Sequence, residues 1–164
     1  MAIDPSALLP NANLRAQNYY IARTCVACPH CGAPTLLTAL ALGPAHEERD
    51  DELGDWQPVG ANAFCFYVAA VSHGVYRRLL KSAPNFKFAP QGSAGESGWA
   101  NHCQHCDLVI SDDELHGEPG VHGFVLCSEA HAASVELIEV CEAFEAMAAG
   151  YSLEPEFFAL MRRG

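Results

Sequence analysis

The sequence predicts an α+β fold, in which short antiparallel strands surround two cysteine pairs and a long C-terminal helix packs over them. Two observations predict the β core: each pair has the form Cys-x2-Cys within a turn-like segment, and apolar segments flank both pairs. The third is the last part of the chain, where apolar residues cover one broad helical face and glutamates recur at every third position. A single domain is expected, because 164 residues are few for two domains of ordinary size.

The strands are predicted from β-branched and aromatic segments that lie next to turn residues. Segments 18–24 and 35–42 predict a hairpin whose tip, 25–34, is dense in Cys, Pro and Gly. Segments 99–102 and 107–110 predict a second, shorter hairpin around the other cysteine pair.

Two further segments complete the middle of the chain. Residues 63–71 are almost wholly apolar, so they fit either a buried strand or the start of a helix. Residues 75–81 predict a helix with an apolar side and a basic side, and Pro84 ends it.

The C-terminal third predicts the longest helix of the chain, over residues 130–149. Glu136, Glu139, Glu142 and Glu145 mark its solvent side, and Gly150 is a typical helix stop. A short final helix is predicted over 155–163, with proline in its first turn and arginines at its end.

Three stretches are therefore predicted within one domain. Residues 1–17 form an N-terminal arm, because prolines and asparagines interrupt regular structure there. Residues 18–127 form the β-rich part with the cysteine pairs, and residues 128–164 form a helical segment that packs on the same core.

Composition and charge exclude several function classes. The formal charge is −11, from 20 acidic and 9 basic residues, which disfavours nucleic acid as a partner because binding requires neutralisation of phosphates. No apolar run approaches the roughly 18 residues of a membrane span. The first ten residues contain no lysine or arginine, so a secretory signal is not predicted and a reducing cytoplasm is expected. In that compartment, eight cysteines favour metal binding over disulfides.

The two cysteine pairs are the strongest functional signal, and they predict one zinc ion bound by Cys28, Cys31, Cys103 and Cys106. A two-residue spacer lets both sulfurs of a tight turn face one tetrahedral metal ion. Gly32 and Asp107 follow the two pairs, at a position that often needs a left-handed backbone, which glycine and aspartate tolerate. Four thiolates complete the coordination shell, so the zinc is expected to be structural, and no catalytic residue is predicted.

The separation of the pairs is unusual, because 71 residues lie between Cys31 and Cys103. Zinc sites of this type usually have about 15–20 residues in that gap. Either most of a domain is inserted between the pairs, or the pairs belong to different sites. Insertion is favoured, because each pair alone supplies only half of a tetrahedral shell.

Several segments around the pairs resemble uncharacterised bacterial zinc-ribbon-like proteins. They are Tyr20–Arg23, the first cysteine pair, Ala39–Leu42, His46–Glu47, Trp99–Cys103 and Leu115–Gly120. The resemblance covers about Tyr19–Gly123. It implies a zinc site and supplies no activity. Together with the spacing of the pairs, the predicted fold is a zinc-ribbon-like antiparallel β core with two zinc knuckles and a large insertion between them.

Other metal sites remain open at the level of sequence. Cys25 extends the first pair to Cys-x2-Cys-x2-Cys, a partial iron–sulfur spacing, although a fourth nearby cysteine followed by proline is missing. Histidines near the cysteines could replace a ligand, orient one, or form a second zinc site. These are His30, His102, His105, His116, His122 and His131, the last of which lies four residues after Cys127.

Three function classes follow. The leading one is a cytoplasmic protein-binding or regulatory module without catalysis, whose partner is another protein. The second is a nucleic-acid-contacting zinc ribbon, which would use the one basic cluster, Arg77, Arg78, Lys81 and Lys87. The third is a thiol or iron–sulfur redox sensor or enzyme that uses Cys25 or the histidine-rich loops.

Overall fold

The computed structural model describes residues 9–91, 96–116, 124, 128–153 and 158–164. The strands are β1 (Leu14–Ala16), β2 (Tyr19–Ala27), β3 (Pro34–Leu42), β4 (Glu47–Arg49), β5 (Trp56–Pro58), β6 (Ala63–Val71), β7 (Phe86–Gln91), β8 (Glu96–His102), β9 (Val109–Ile110), β10 (Glu136–Val140), β11 (Phe144–Leu153) and β12 (Arg162–Arg163). The helices are α1 (His73–Ser82), α2 (Asp112–His116) and α3 (Glu129–Ala133), and Phe158–Leu160 form a 3₁₀ turn.

The described strands form two sheets. The larger has nine strands in the order β12-β10-β2-β3-β6-β11-β1-β4-β5, and the smaller has the order β7-β8-β9. The pairings are antiparallel except for β10 with β12. β1 lies within the predicted arm, yet it pairs with β11 on one side and β4 on the other.

The centre of the large sheet is buried on both faces. Along β2 and β3, alternate side chains enter two different apolar clusters: Ile21 and Leu40 belong to the first core, whereas Ala22 and Ala39 belong to the second. This alternation follows from the two-residue period of a strand. The first core includes Val75 and Leu79 of α1, and the second includes two of the predicted metal ligands. These two predicted ligands therefore lie on one defined side of the sheet.

The predicted α+β class with a long C-terminal helix is wrong. Residues 130–149 form only the end of α3, then the strands β10 and β11, so the described chain is predominantly β. In β11, Phe144, Ala146 and Ala148 are buried while Met147 is exposed, which is the two-residue period of a strand. The predicted final helix is also wrong, since Phe158–Leu160 form a 3₁₀ turn and Arg162–Arg163 pair with β10; residues 154–157 lie outside the described part.

The predicted role of Gly150 as a helix stop is also wrong. It lies within β11 opposite Phe66 of β6, and the Phe66 ring covers it. A Cβ atom at this position would lie 2.6 Å from Phe66 Cε2, so the absence of a side chain makes room for the ring.

The small sheet crosses the large one at Gly98. A Cβ atom on Gly98 of β8 would lie 2.9 Å from the backbone oxygen of Val68 in β6. A backbone atom cannot turn away as a side chain can, so the crossing requires glycine. This crossing positions the second cysteine pair, because the pair follows β8 directly.

We expect Gly98→Ala to lower the free energy of unfolding by about 1–3 kcal/mol, because the two strands must separate to admit the methyl group. The measurement is denaturant unfolding, with Gly74→Ala as the matched control. Gly74 lies in α1 with nothing within 4 Å of its Cβ position, so alanine there should be neutral or stabilising. Equal stability of the two variants would show that the crossing is looser than described.

Candidate metal centre

The two cysteine pairs lie at the tips of two hairpins with the same backbone hydrogen bonds. In the first knuckle (Cys28–Gly32), Gly32 N–H donates to the Cys28 carbonyl at 2.9 Å. In the second knuckle (Cys103–Asp107), Asp107 N–H donates to the Cys103 carbonyl at 3.0 Å. Each first cysteine also donates its own N–H to the carbonyl five residues later. The two turns therefore have the same construction, although their sequences differ.

The backbone after each pair is left-handed, as the sequence predicts. The φ angle is 77° at Gly32 and 58° at Asp107. Among the described residues other than glycine, only Asp107 and Tyr67 have a positive φ, so the conformation is a specific requirement of the turn.

The hairpin tips bring the four predicted ligands together. All four sulfurs of Cys28, Cys31, Cys103 and Cys106 lie within 4.8 Å of one another. Across the two knuckles, Cys28 Sγ is 3.8 Å from Cys106 Sγ, and Cys31 Sγ is 3.7 Å from Cys103 Sγ. A tetrahedral zinc ion with Zn–S bonds of about 2.3 Å places its sulfurs about 3.8 Å apart. The cluster thus has the size and the donor chemistry of a site for a single metal ion.

The cluster lies at the boundary between the second core and solvent. Cys28 and Cys103 are buried, Cys106 is partly buried, and Cys31 is exposed. The first cysteine of each pair thus packs against the second core, which also contains Leu37 and Ile110. A metal ion in this cluster would be anchored from the interior and reached from the surface.

Backbone donors stabilise negative charge on the sulfurs. His30 N–H is 3.3 Å from Cys28 Sγ, and His105 N–H is 3.3 Å from Cys103 Sγ. The N–H groups of Cys106 and His105 lower the pKa of the Cys103 thiol to about 6. Burial and the neighbouring thiols outweigh the N–H group of Leu108 and raise the pKa of Cys106 to about 12, so within the cluster these donors favour the metal-binding thiolate form at Cys103.

Residues of the second hairpin form hydrogen bonds with the part of the β3 edge that no described strand covers. Thr38 N–H donates to Asn101 Oδ1 at 2.7 Å, and Asn101 Nδ2 donates to the Thr38 carbonyl at 2.8 Å. Leu36 N–H donates to Gln104 Oε1 at 3.1 Å, and Gln104 N–H donates to Thr35 Oγ1 at 3.0 Å. These bonds align the two knuckles without the help of a metal.

Sequence reasoning missed Asn101 and Gln104. The available signal was their position beside the second cysteine pair, as amide side chains that can imitate a strand edge. Their partners lie 63 and 68 residues away in the sequence, and only the fold brings them together.

The long gap between the pairs is an insertion, as the sequence predicts. The intervening residues include helix α1 and the strands β3 to β8, of which β3 to β6 belong to the large sheet and β7 and β8 to the small one. Because the chain returns to the start of β3 at the end of β8, the two pairs meet at one site.

The other cysteines that the structure describes, Cys25, Cys65 and Cys141, lie outside the cluster. Cys25 is exposed on β2 and is not part of the four-sulfur group. Cys65 is buried, and burial raises the pKa of its thiol to about 12, so it remains neutral. Cys141 is exposed. Cys127 lies outside the described residues.

No histidine joins a metal-binding group within the part of the chain that the structure describes. His30 Nε2 is 3.1 Å from the Val109 carbonyl, which links the first knuckle to β9. His102 is buried, with Nδ1 3.1 Å from the Ala100 carbonyl. His105 is exposed beside the second knuckle, and His131 lies in α3. Nothing is described of residue 122 or of the side chain of His116, so the predicted second site with these residues lies outside the described part.

The predicted basic cluster is divided between two elements. Arg77, Arg78 and Lys81 lie on α1, and Lys87 lies on β7. Arg78 pairs with Glu142 at 2.6 Å, and Lys87 lies 3.4 Å from Asp107.

Among the described residues, no helix is both long and apolar enough to cross a bilayer.

Comparison with protein-family models, with curated proteins and with solved structures finds no match for this chain. No family or relative therefore confirms the resemblance to zinc-ribbon-like proteins. What the structure supports is a site where four cysteines lie within metal-binding distance. Its chemistry is that of a thiolate site for a single metal ion.

Proposed function

We propose that the protein is a zinc-stabilised binding module, in which one zinc ion bound by Cys28, Cys31, Cys103 and Cys106 is structural. The observation that carries this proposal is the spacing of the four sulfurs, which matches the edge of a single tetrahedral site. A cluster with several iron atoms would need its ligands farther apart, and Cys25 does not belong to the group.

The proposed zinc fastens the small sheet to the large one. The first knuckle extends from β2 and β3, and the second from β8 and β9, so the ion would cross-link hairpins of different sheets. Structural zinc contributes about 10–16 kcal/mol of binding free energy in small peptides, and this appears as folding free energy when the unfolded chain has no site. In this protein the hydrogen bonds of Asn101 and Gln104 would lower the cost of bringing the knuckles together.

Binding of another protein is the function that fits this construction best. Four cysteines fill a tetrahedral shell, so the proposed role leaves no position for a metal-bound water and contains no catalytic step. Four thiolates on one dication would add negative charge to a chain that already carries −11. A long polyanion such as duplex DNA would be repelled by most of that surface.

We expect zinc removal to lower the melting temperature by about 10 °C or more, because a loss of several kcal/mol shifts the midpoint by about 2–4 °C per kcal/mol at this chain length. The protein would be treated with a chelator under reducing conditions and melted before and after the addition of zinc. One equivalent of zinc should restore the original midpoint, whereas magnesium should have no effect, since it prefers oxygen ligands. An unchanged midpoint after complete removal of the metal would refute a structural role.

A further inference from the structure

Charge is distributed unevenly along the chain. Residues 56–95 contain none of the 20 acidic residues, but they contain four of the nine basic ones. This segment therefore carries a formal charge of +4, and the rest of the chain carries −15. The segment includes β6, α1 and β7.

Helix α1 exposes cationic and apolar side chains on one face. Its buried residues are Val75 and Leu79, which contact the first core. The opposite face presents side chains spaced three and four residues apart, so they adjoin one another on the helix surface. They are His73, Tyr76, Arg77, Leu80 and Lys81.

Aromatic residues of the small sheet continue this face. Tyr76 contacts Trp99 edge-on, with ring centroids 5.7 Å apart. Phe88 of β7 is directly opposite Trp99 of β8 in the sheet, so the two side chains lie on the same face. Tyr76, Leu80 and Phe88 are 41%, 57% and 56% exposed, which is high for large apolar side chains. We call the exposed side chains of His73, Tyr76, Arg77, Leu80, Lys81 and Phe88 the α1 face.

Two of the cations on this face are available to a partner. Arg78 is committed to Glu142 at 2.6 Å and anchors the helix to the turn after β10. Arg77 and Lys81 make no ion pair with any acidic group of the described residues, although the chain as a whole is strongly acidic. Both lie one position after an exposed apolar residue, Tyr76 and Leu80, so charge and apolar area alternate along the helix.

We propose that the α1 face docks an acidic segment of another protein that carries bulky apolar side chains. The apolar side chains would cover Tyr76, Leu80 and Phe88, and carboxylates would pair with Arg77 and Lys81. Charge complementarity selects this partner, because the face is cationic and apolar within an anionic protein. The inference rests on the proposed function and names the surface and the partner class of that binding module.

The length of the face favours a peptide segment over a nucleic acid. Helix α1 has ten residues and is therefore about 15 Å long. This length matches that of a short helical docking segment of a few turns. A nucleic-acid strand that stacked on Tyr76 and Phe88 would extend beyond the cationic face onto surface that is acidic on average. A short acidic segment can end where the cationic face ends.

The test measures fluorescence anisotropy with the zinc-loaded full chain. The probe is a fluorescein-labelled peptide of glutamate and leucine, with the leucines three and four positions apart. We expect Arg77→Glu with Lys81→Glu to weaken binding at least about tenfold, and Leu80→Ser to weaken it about threefold or more. The matched control, Arg162→Glu with Arg163→Glu, changes the net charge by the same amount at another exposed site and should change binding less than about twofold.

Each other outcome overturns the proposal. No measurable binding of the peptide, or equal weakening in the two double variants, would show that no specific acidic-segment site exists on the α1 face. Tighter binding of a labelled oligothymidylate than of the peptide would assign the face to single-stranded nucleic acid. Self-association of the unmodified protein that the Arg77 and Lys81 changes abolish would assign it to a second copy of this chain. Zinc content and melting temperature, measured for every variant, separate these failures from failure of the zinc-stabilised module itself.

Discussion

Replacement of Cys103 by serine is expected to lower the free energy of unfolding by about 4 kcal/mol or more, which is comparable to the total stability of many domains. Cys103 is buried, receives backbone N–H groups at its sulfur, and lies 3.7 Å from the Cys31 sulfur in the opposite knuckle. Serine is a poor zinc ligand, so the variant would lose both the metal ion and the cross-link between the sheets. Denaturant unfolding of the purified variant, with its zinc content, measures the effect.

Cys25→Ser provides the matched control for this change. Cys25 lies three residues before the first ligand, but it is exposed and outside the four-sulfur group. Its replacement should retain one zinc ion and change the stability by less than about 0.5 kcal/mol. A Cys103→Ser protein with unaltered stability, or a Cys25→Ser protein that has lost its metal, would contradict the assignment of the ligands.

Asn101→Ala is expected to be the second most damaging change, with a loss of about 2–4 kcal/mol. Asn101 is 2% exposed, and its amide satisfies both the N–H and the carbonyl of Thr38. Alanine would leave two buried backbone groups without partners, and each such group costs about 1–3 kcal/mol. The variant should also bind zinc more weakly, because the knuckles are no longer held in alignment. Unfolding curves recorded with saturating zinc isolate the hydrogen-bond loss from the metal effect.

Asn18→Ala is a suitable comparison, because Asn18 also donates its side-chain amide, to Glu139 at 3.0 Å, but at an exposed position. Water can replace that bond, so the loss should stay below about 1 kcal/mol. If Asn101→Ala were as mild as Asn18→Ala, the alignment of the knuckles would depend on the metal alone.

Parts of the fold were predictable where a single periodicity dominates. The strands of the first hairpin and the helix α1 lie within a few residues of their predicted positions, since the residues at the hairpin tip favour a turn and α1 has clearly separated faces. Residues 63–71 were ambiguous, because an apolar run of nine residues has no period, and the structure shows a strand.

The structure of the last third of the chain was wrongly predicted, because its sequence pattern fits the period of a helix as well as that of a strand. Glutamates at every third position suggest a helix, but β10 and β11 are separated by a turn at residues 141–143, so that spacing spans two strands. Alanine occurs on both faces of β11, buried at Ala146 and Ala148 and exposed at Ala149, so the alternation of the strand is visible only once burial is known. Pairing with β2 and β6, more than 70 residues away, stabilises the strands over the helix.

The grouping of the four cysteines was predictable from the sequence, and the residues that hold the two knuckles in alignment were not. The spacing of the cysteines and the residues that follow each pair indicate two knuckles, because these depend on local turn geometry. Asn101 and Gln104 could not be assigned, because they act on the edge of a strand that is distant in sequence. The aromatic extension of the α1 face likewise depends on the contact of Tyr76 with Trp99, which no local pattern predicts.

Elemental analysis of the purified protein, with its visible absorption spectrum, tests the central claim most directly. One zinc ion per chain, no visible absorbance, and loss of the metal in Cys28→Ser and Cys103→Ser is the predicted result. Iron with visible absorbance would contradict the zinc assignment and indicate an iron–thiolate centre in the same four cysteines. A folded, stable chain without any bound metal would contradict the metal centre itself.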